Sequence, residues 1–189
     1  MQQIIIKSIK YRYITIIIMV NIMYYLNNFF LFSILGHIFE SIMFLFLNNN
    51  KYSGIFFGPW TPVYGIGIII IILINKILDK FNIKMFPKII LSFFIYAIFL
   101  SLIEFIGGIS IELLFHKVFW DYSNHKFNIG KYVSIEMAFL WGLVSCIYLF
   151  VFKKLIDKVL IKIPKYVTWV FVIIFITDIV LTIIDKLKL

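Results

Sequence analysis

IILSFFIYAIFLSLIEFIGGISIELLF, residues 89–115, decides what kind of protein this is. Its only charges are Glu104 and Glu112, and the rest is apolar, glycine or hydroxylic. A helix needs about 20 mostly apolar residues to cross a hydrocarbon core about 30 Å thick, and this stretch exceeds that without a single lysine or arginine. Four more stretches meet the requirement, approximately 28–47, 61–77, 133–152 and 166–184. None alternates as a barrel strand does, and only helices or closed barrels satisfy their backbone in lipid. The expectation is an all-α integral membrane protein with five transmembrane helices.

Composition agrees. The 189 residues are 63% hydrophobic and 14% charged, against roughly 25% charged in a soluble domain. The net charge is +9, but the basic residues sit in short runs, Lys76 to Lys88 and Lys153 to Lys165, between apolar stretches. Topology determinants are distributed in this way. The pattern excludes a nucleic-acid partner and leaves the lipid bilayer as the surrounding medium. Arg12 is the single arginine among 18 basic residues, a bias that fits an AT-rich bacterial genome. Cys146 is alone, which excludes an intrachain disulfide.

Residues 1–27 read as a cationic amphipathic segment and 28–189 as one polytopic membrane domain. Lys7, Lys10 and Arg12 precede an apolar run from Ile14 to Met23, as in a signal peptide, but no small-residue cleavage site follows. A retained cytoplasmic or interfacial helix is expected, with an extra span over 14–26 as the alternative. Five spans and a cytoplasmic N-terminus put twelve basic residues inside and six outside, whereas a sixth span would give nine and nine. The positive-inside bias favours five, in the cell membrane.

Ionisable groups are costly in lipid and normally face a bundle interior or a wet cavity. The chain places His37 and Glu40 in the first span, Glu104 and Glu112 in the third, Glu136 in the fourth and Asp178 in the fifth. Glu40 lies about 18 Å along its helix, and with the N-terminus inside every acid falls toward the outer leaflet. The lead-in to the second span, Gly58-Pro59-Trp60-Thr61-Pro62-Val63-Tyr64-Gly65, and the loop Trp120-Asp121-Tyr122-Ser123 fall at the same level. A single polar cluster opening outward is expected. Gly107 and Gly108 clear space beside Glu104 for a neighbouring helix, which would set Glu40 or His37 against it. Each group also has a plainer reading: Glu112 and Glu136 as interfacial, His37 with Glu40 as a helix lock, Asp178 as a paired structural acid, Trp60 and Trp120 as belt aromatics.

No metal-ligand spacing such as HExxH, no nucleophile elbow and no GxxxxGK[ST] phosphate loop occurs. No cofactor or metal is expected, and any ATP hydrolysis by a Walker-type site must come from a separate subunit.

In order along the chain stand Gly36 with Glu40, then Gly54-Ile55-Phe56 and Gly58-Pro59-x-x-Pro62-x-Tyr64-Gly65. Glu104, Gly108, Glu112 and His116 follow, then Trp120-Asp121-Tyr122-Ser123, Phe127-Asn128, Gly130 and Trp141-Gly142. From about Leu31 to Leu149 this resembles the ABC-transporter type IV permease (CmpB-like) family. There are departures: the family usually has Trp at the place of His37 and Asn-Arg at Tyr52-Ser53, and the stretch from Phe127 to Gly130 is one residue short. The resemblance implies a multi-span membrane protein associated with transport and a possible separate ATPase subunit.

Three functional readings follow. The leading one is a permease-like transport component, with a possible homo-oligomer enclosing the path. His37, Glu40, Tyr64, Glu104, Glu112, Asp121 and Tyr122 are its candidate solute- or ion-binding residues. Gly58, Pro59, Pro62, Gly65, Gly108, Trp120 and Gly142 are its structural motif. The alternatives are a membrane-embedded enzyme acting on a lipid-like substrate, using carboxylates with His37 and His116, and a regulatory or assembly subunit.

Overall fold

A computed structural model describes residues 2–46 and 55–187, with side chains for 19–43, 45–46 and 55–186. Gly54 and the Tyr52-Ser53 departure lie outside the described residues, as do Lys51, Lys188 and the side chains of Lys7, Lys10 and Arg12.

The described residues form six α-helices: α1 (Gln2–Phe46), α2 (Pro62–Leu78), α3 (Met85–Phe115), α4 (Ile135–Ile147), α5 (Lys153–Leu160) and α6 (Lys165–Leu187). A π-helical turn, Tyr148–Phe152, joins α4 to α5. Among the described residues, five stretches are long and apolar enough to span a membrane, Met19–Met43, Pro62–Phe81, Met85–Phe115, Ile135–Leu160 and Lys165–Lys186. The five expected spans are all present.

The first span is continuous with the N-terminal segment: α1 is one helix of 45 residues. Residues 13–35 contain neither proline nor glycine, so nothing in the sequence interrupts it.

Local chemistry sets the other boundaries. Thr61 stands at the N-cap position of α2 without a side-chain cap, and Pro62 opens the helix, where the missing N–H costs nothing. A 3₁₀ turn, Asp79–Phe81, ends that span, and Asn82 at φ 47° turns the chain. His116 at φ 50° closes α3, its N–H bonded to the Glu112 carbonyl oxygen. The loop beyond forms a small antiparallel ladder, Asn128–Ile129 with Val133–Ser134, turned by Gly130 at φ 64°. The Ser134 hydroxyl then caps α4 by accepting from the Met137 N–H at 3.2 Å.

α1 is central, flanked by α2 and α6, while α3 packs on α4 and α2. Ile68, Ile71, Ile72, Tyr96, Cys146, Tyr148 and Leu149 form the core where α2, α3 and α4 meet. Outward faces carry large apolar residues, such as Phe94, Ile98, Leu102 and Ile106 of α3 and Ile173, Ile176 and Val180 of α6. Such continuous apolar exposure suits acyl chains rather than water.

One end of the bundle is lysine-rich and closed by polar contacts. The Tyr24 hydroxyl donates to Asp157 at 2.8 Å and accepts from Lys153 at 3.0 Å, and Lys153 pairs with Asp157. Lys76 reaches the Tyr25 hydroxyl at 2.7 Å, Lys88 pairs with Asp79, and Thr168 donates to Asn27 at 2.6 Å. The loops 79–84 and 161–164 therefore share one end with residues 24–27 of α1.

Candidate functional site

Sixteen residues separate Tyr24 from Glu40 on α1, and Lys88 from Glu104 on α3. At 1.5 Å per residue both carboxylates stand about 24 Å from the lysine-rich end, level with each other. On α3, Ser101, Glu104 and Gly108 recur at helical spacing and are all buried, so they face inward.

Two neutral donors hold Glu104. The Tyr122 hydroxyl donates to Oε1 at 2.6 Å and the Trp141 indole N–H to Oε2 at 2.9 Å. Glu40 accepts from the Thr61 hydroxyl at 3.4 Å and from the Tyr64 hydroxyl. The Tyr64 and Trp141 rings meet edge to face with centroids 5.7 Å apart, so the two acids are joined through an aromatic pair. Glu40 also lies close enough to act on Glu104 as a like charge.

Both acids, with Tyr64, Asp121, Tyr122 and Trp141, line one cavity of about 1400 Å³. That exceeds the roughly 300–1,000 Å³ of an ordinary ligand pocket. Its remaining walls are largely apolar, from α1, α2, α3, α4 and α6.

The loop after α3 folds back to deliver Tyr122. Its N–H donates to the Lys131 carbonyl oxygen at 2.7 Å, and its own carbonyl accepts from the His125 N–H. Burial raises the Tyr122 phenol pKa, and the Glu104 charge adds to the effect, so Tyr122 is a neutral donor at ordinary pH. Asp121 lines the cavity too, and its pKa is lowered by hydrogen bonds from the Ser123 hydroxyl and then from the Ser123 N–H, at 2.8 Å.

The other expected members stand elsewhere. Glu112 is tied to the hairpin by Lys131, at 2.7 Å, and by the Tyr132 hydroxyl. Glu136 faces His125 at 3.7 Å. His37 is not among the cavity residues, and its buried Nδ1 has no partner among the described residues. His116 serves as the exposed cap of α3. Asp178 accepts from the Phe57 and Gly58 N–H groups at 3.0 and 2.8 Å, from the Trp60 indole at 2.6 Å and from Thr182 at 3.2 Å. Glu40, Glu104 and Asp121 thus share the cavity, while Glu112, Glu136 and Asp178 are each held by a neighbouring loop segment.

The structural motif residues act through close approach. Gly36 and Gly65 let α1 and α2 touch: a Cβ at Gly36 would fall 2.3 Å from the Tyr64 ring, and one at Gly65 2.6 Å from the Phe29 carbonyl oxygen. Gly142 lies against the Phe93 backbone of α3, where a Cβ would come within 2.8 Å. Gly108 receives the Tyr132 ring, not a helix, with a Cβ distance of 2.4 Å. Gly58 and Pro59 belong to the segment fastened by Asp178, and Pro62 starts α2. Trp60, read from sequence as a belt aromatic, is instead 4% exposed among Phe30, Phe171 and Phe175. Trp120 packs edge to face on Tyr132.

Sequence reasoning missed Trp141 and Thr61 as donors to the acids. Trp141 is six residues into the α4 span, too deep for a belt position, which was the available signal. Among the described residues, no three His, Cys, Asp or Glu side chains converge as a metal ion would need.

The family described as "Putative ABC-transporter type IV" matches residues 27–184. No curated protein and no solved structure matches the chain. The chain belongs to this family: it is an ABC-transporter-related, multi-pass membrane protein.

Proposed function

We propose that this family member is a permease-like transport component whose solute passes the Glu40–Glu104 level of the cavity. One observation carries the reading. Glu104 is a 6% exposed carboxylate on a cavity wall, held by neutral donors, with a second carboxylate nearby and, among the described residues, no cationic side chain bonded to it. A buried charge left in that condition is costly and marks a solute or ion path.

Glu40 and Glu104 are the central ligands in this reading, Asp121 and Tyr122 form the gate, and the Gly58–Gly65 stretch shapes the approach. The lysine-rich end lies in the cytoplasm with the N-terminus, by the positive-inside bias, so the cavity opens toward the outside of the cell membrane. Family membership supports a separate ATPase subunit, because the chain carries no phosphate-binding loop of its own. Association with a second copy would complete the wall around five spans.

Two measurements test the reading. In a Cys146→Ser background, a cysteine at Ile103 is expected to react with a membrane-impermeant maleimide from outside and not from the cytoplasm. Protein captured from its own membrane with its bound subunits, then reconstituted, is expected to support ATP-stimulated uptake of a labelled cationic solute. Labelling only from the cytoplasm would refute the orientation. Flux that stays at background across inorganic cations and amines would refute transport.

A further inference from the structure

Among the described residues nothing cationic meets Glu104, and its two hydrogen-bond donors, Tyr122 and Trp141, leave its charge uncancelled. Three aromatic side chains surround this carboxylate region: Tyr64 and Trp141 as an edge-to-face pair, and Tyr122 bonded directly to Oε1. Carboxylate and electron-rich rings together are the chemistry that recognises an ammonium ion. An inorganic divalent cation would instead need about six oxygen ligands, and no such set converges among the described residues.

The rest of the cavity argues for length. Toward the lysine-rich end its wall is Phe32, Ile68, Ile71 and Leu100, and the space far exceeds what a small amine would fill.

We infer that the cavity binds an amphiphile with an ammonium head, the head seated against Glu104 among Tyr64, Tyr122 and Trp141 and the apolar part along Phe32, Ile68, Ile71 and Leu100. This rests on taking the cavity as the solute site. The ammonium group can belong to a membrane lipid or to a freely dissolved alkylamine, and the same recognition serves both.

Binding of radiolabelled dodecyltrimethylammonium to the full chain in phosphatidylglycerol nanodiscs, with empty nanodiscs subtracted, tests it. Saturable binding near one per chain is expected. Unlabelled dodecyltrimethylammonium should compete, tetramethylammonium at least 100-fold more weakly, and dodecanol not at all. Glu104→Gln should weaken binding at least 30-fold and Ile103→Trp, which fills the cavity from its wall one residue before Glu104 without altering charge, at least 10-fold. Glu112→Gln, on α3 outside the cavity, should leave affinity within twofold. If Glu104→Gln does not yield a monodisperse protein, the Ile103→Trp and competitor arms decide.

Absence of saturable binding overturns the inference, as does equal competition by dodecanol or full affinity in both cavity variants. Including phosphatidylethanolamine separates the sources, since displacement assigns a lipid head and undiminished binding a dissolved amine. Flux without ammonium binding would remove this inference and leave transport standing. Binding without flux would do the reverse.

Discussion

Asp178 and Glu104 are both carboxylates buried in apolar helices, 7% and 6% exposed, yet their surroundings differ in kind. Asp178 receives four hydrogen bonds, three of them from the 57–60 segment, and so fastens that segment to α6. Glu104 receives two, and its remaining acceptor capacity lies on the wall of a large cavity beside a second acid. A carboxylate whose lone pairs are filled by its own chain is a fastening. One left partly unfilled beside open space is available to something else.

The largest effect expected from this contrast is on stability at Asp178. Asp178→Ala strands two backbone N–H groups, an indole N–H and a hydroxyl, and each buried donor without a partner costs about 1–3 kcal/mol. A loss of about 3 kcal/mol or more is expected in thermal unfolding in detergent, with the Trp60 environment changed. Loss under about 1 kcal/mol would erase the distinction between the two acids.

Next comes Gly142→Ala. Its Cβ would press on the Phe93 carbonyl oxygen, and overpacking of a close helix contact costs about 1–3 kcal/mol. Unchanged stability would mean that α3 and α4 can separate freely, and with them Glu104 and Trp141.

Glu104→Gln sharpens the comparison from the other side. The amide keeps an acceptor and removes both a buried charge and its repulsion from Glu40. Stability within about 1 kcal/mol of the parent is expected, in the same assay that detects the Asp178 variant.

The smallest effect is a pH response of the hairpin. Glu112 raises the Lys131 pKa and pushes that of the Tyr132 phenol up to about 12 from 10.0. A group whose folded pKa is raised contributes its stability below the unfolded value and loses it as pH climbs through the folded one. The hairpin should therefore loosen between pH 10 and about 12, read by fluorescence of Trp120, whose ring centroid lies 6.1 Å from that of Tyr132. Tyr132→Phe should remove the phenol's share of the response. An unchanged profile would show that Glu112 does not hold the loop.

Much of this was legible in the sequence because hydropathy acts locally. The third span ends at Phe115 as expected, the other boundaries of the second to fifth spans shift by four residues or fewer, and the fourth alone runs eight residues further, to Leu160. Glu40 and Glu104 share a level because rise per residue alone fixes depth along a helix. What stayed hidden depends on contacts distant in the chain. The Asp178 fastening joins residues about 120 apart, and no spacing rule reaches that far. Gly108 signals that something approaches closely without saying what, and the visitor is the Tyr132 ring. Trp60 resembles a belt residue by position, but its indole finds an acid and a nest of phenylalanines instead.

The π-helical turn at Tyr148–Phe152 gives the fourth span a joint. Below it, Lys153 and Asp157 are moored to Tyr24 of α1, while above it Trp141 and Gly142 travel with α3. A π turn accommodates a change of helical register that a regular α-helix would resist. This span is therefore tied to α1 below the turn and to α3 above it, and the change of register falls between the two attachments.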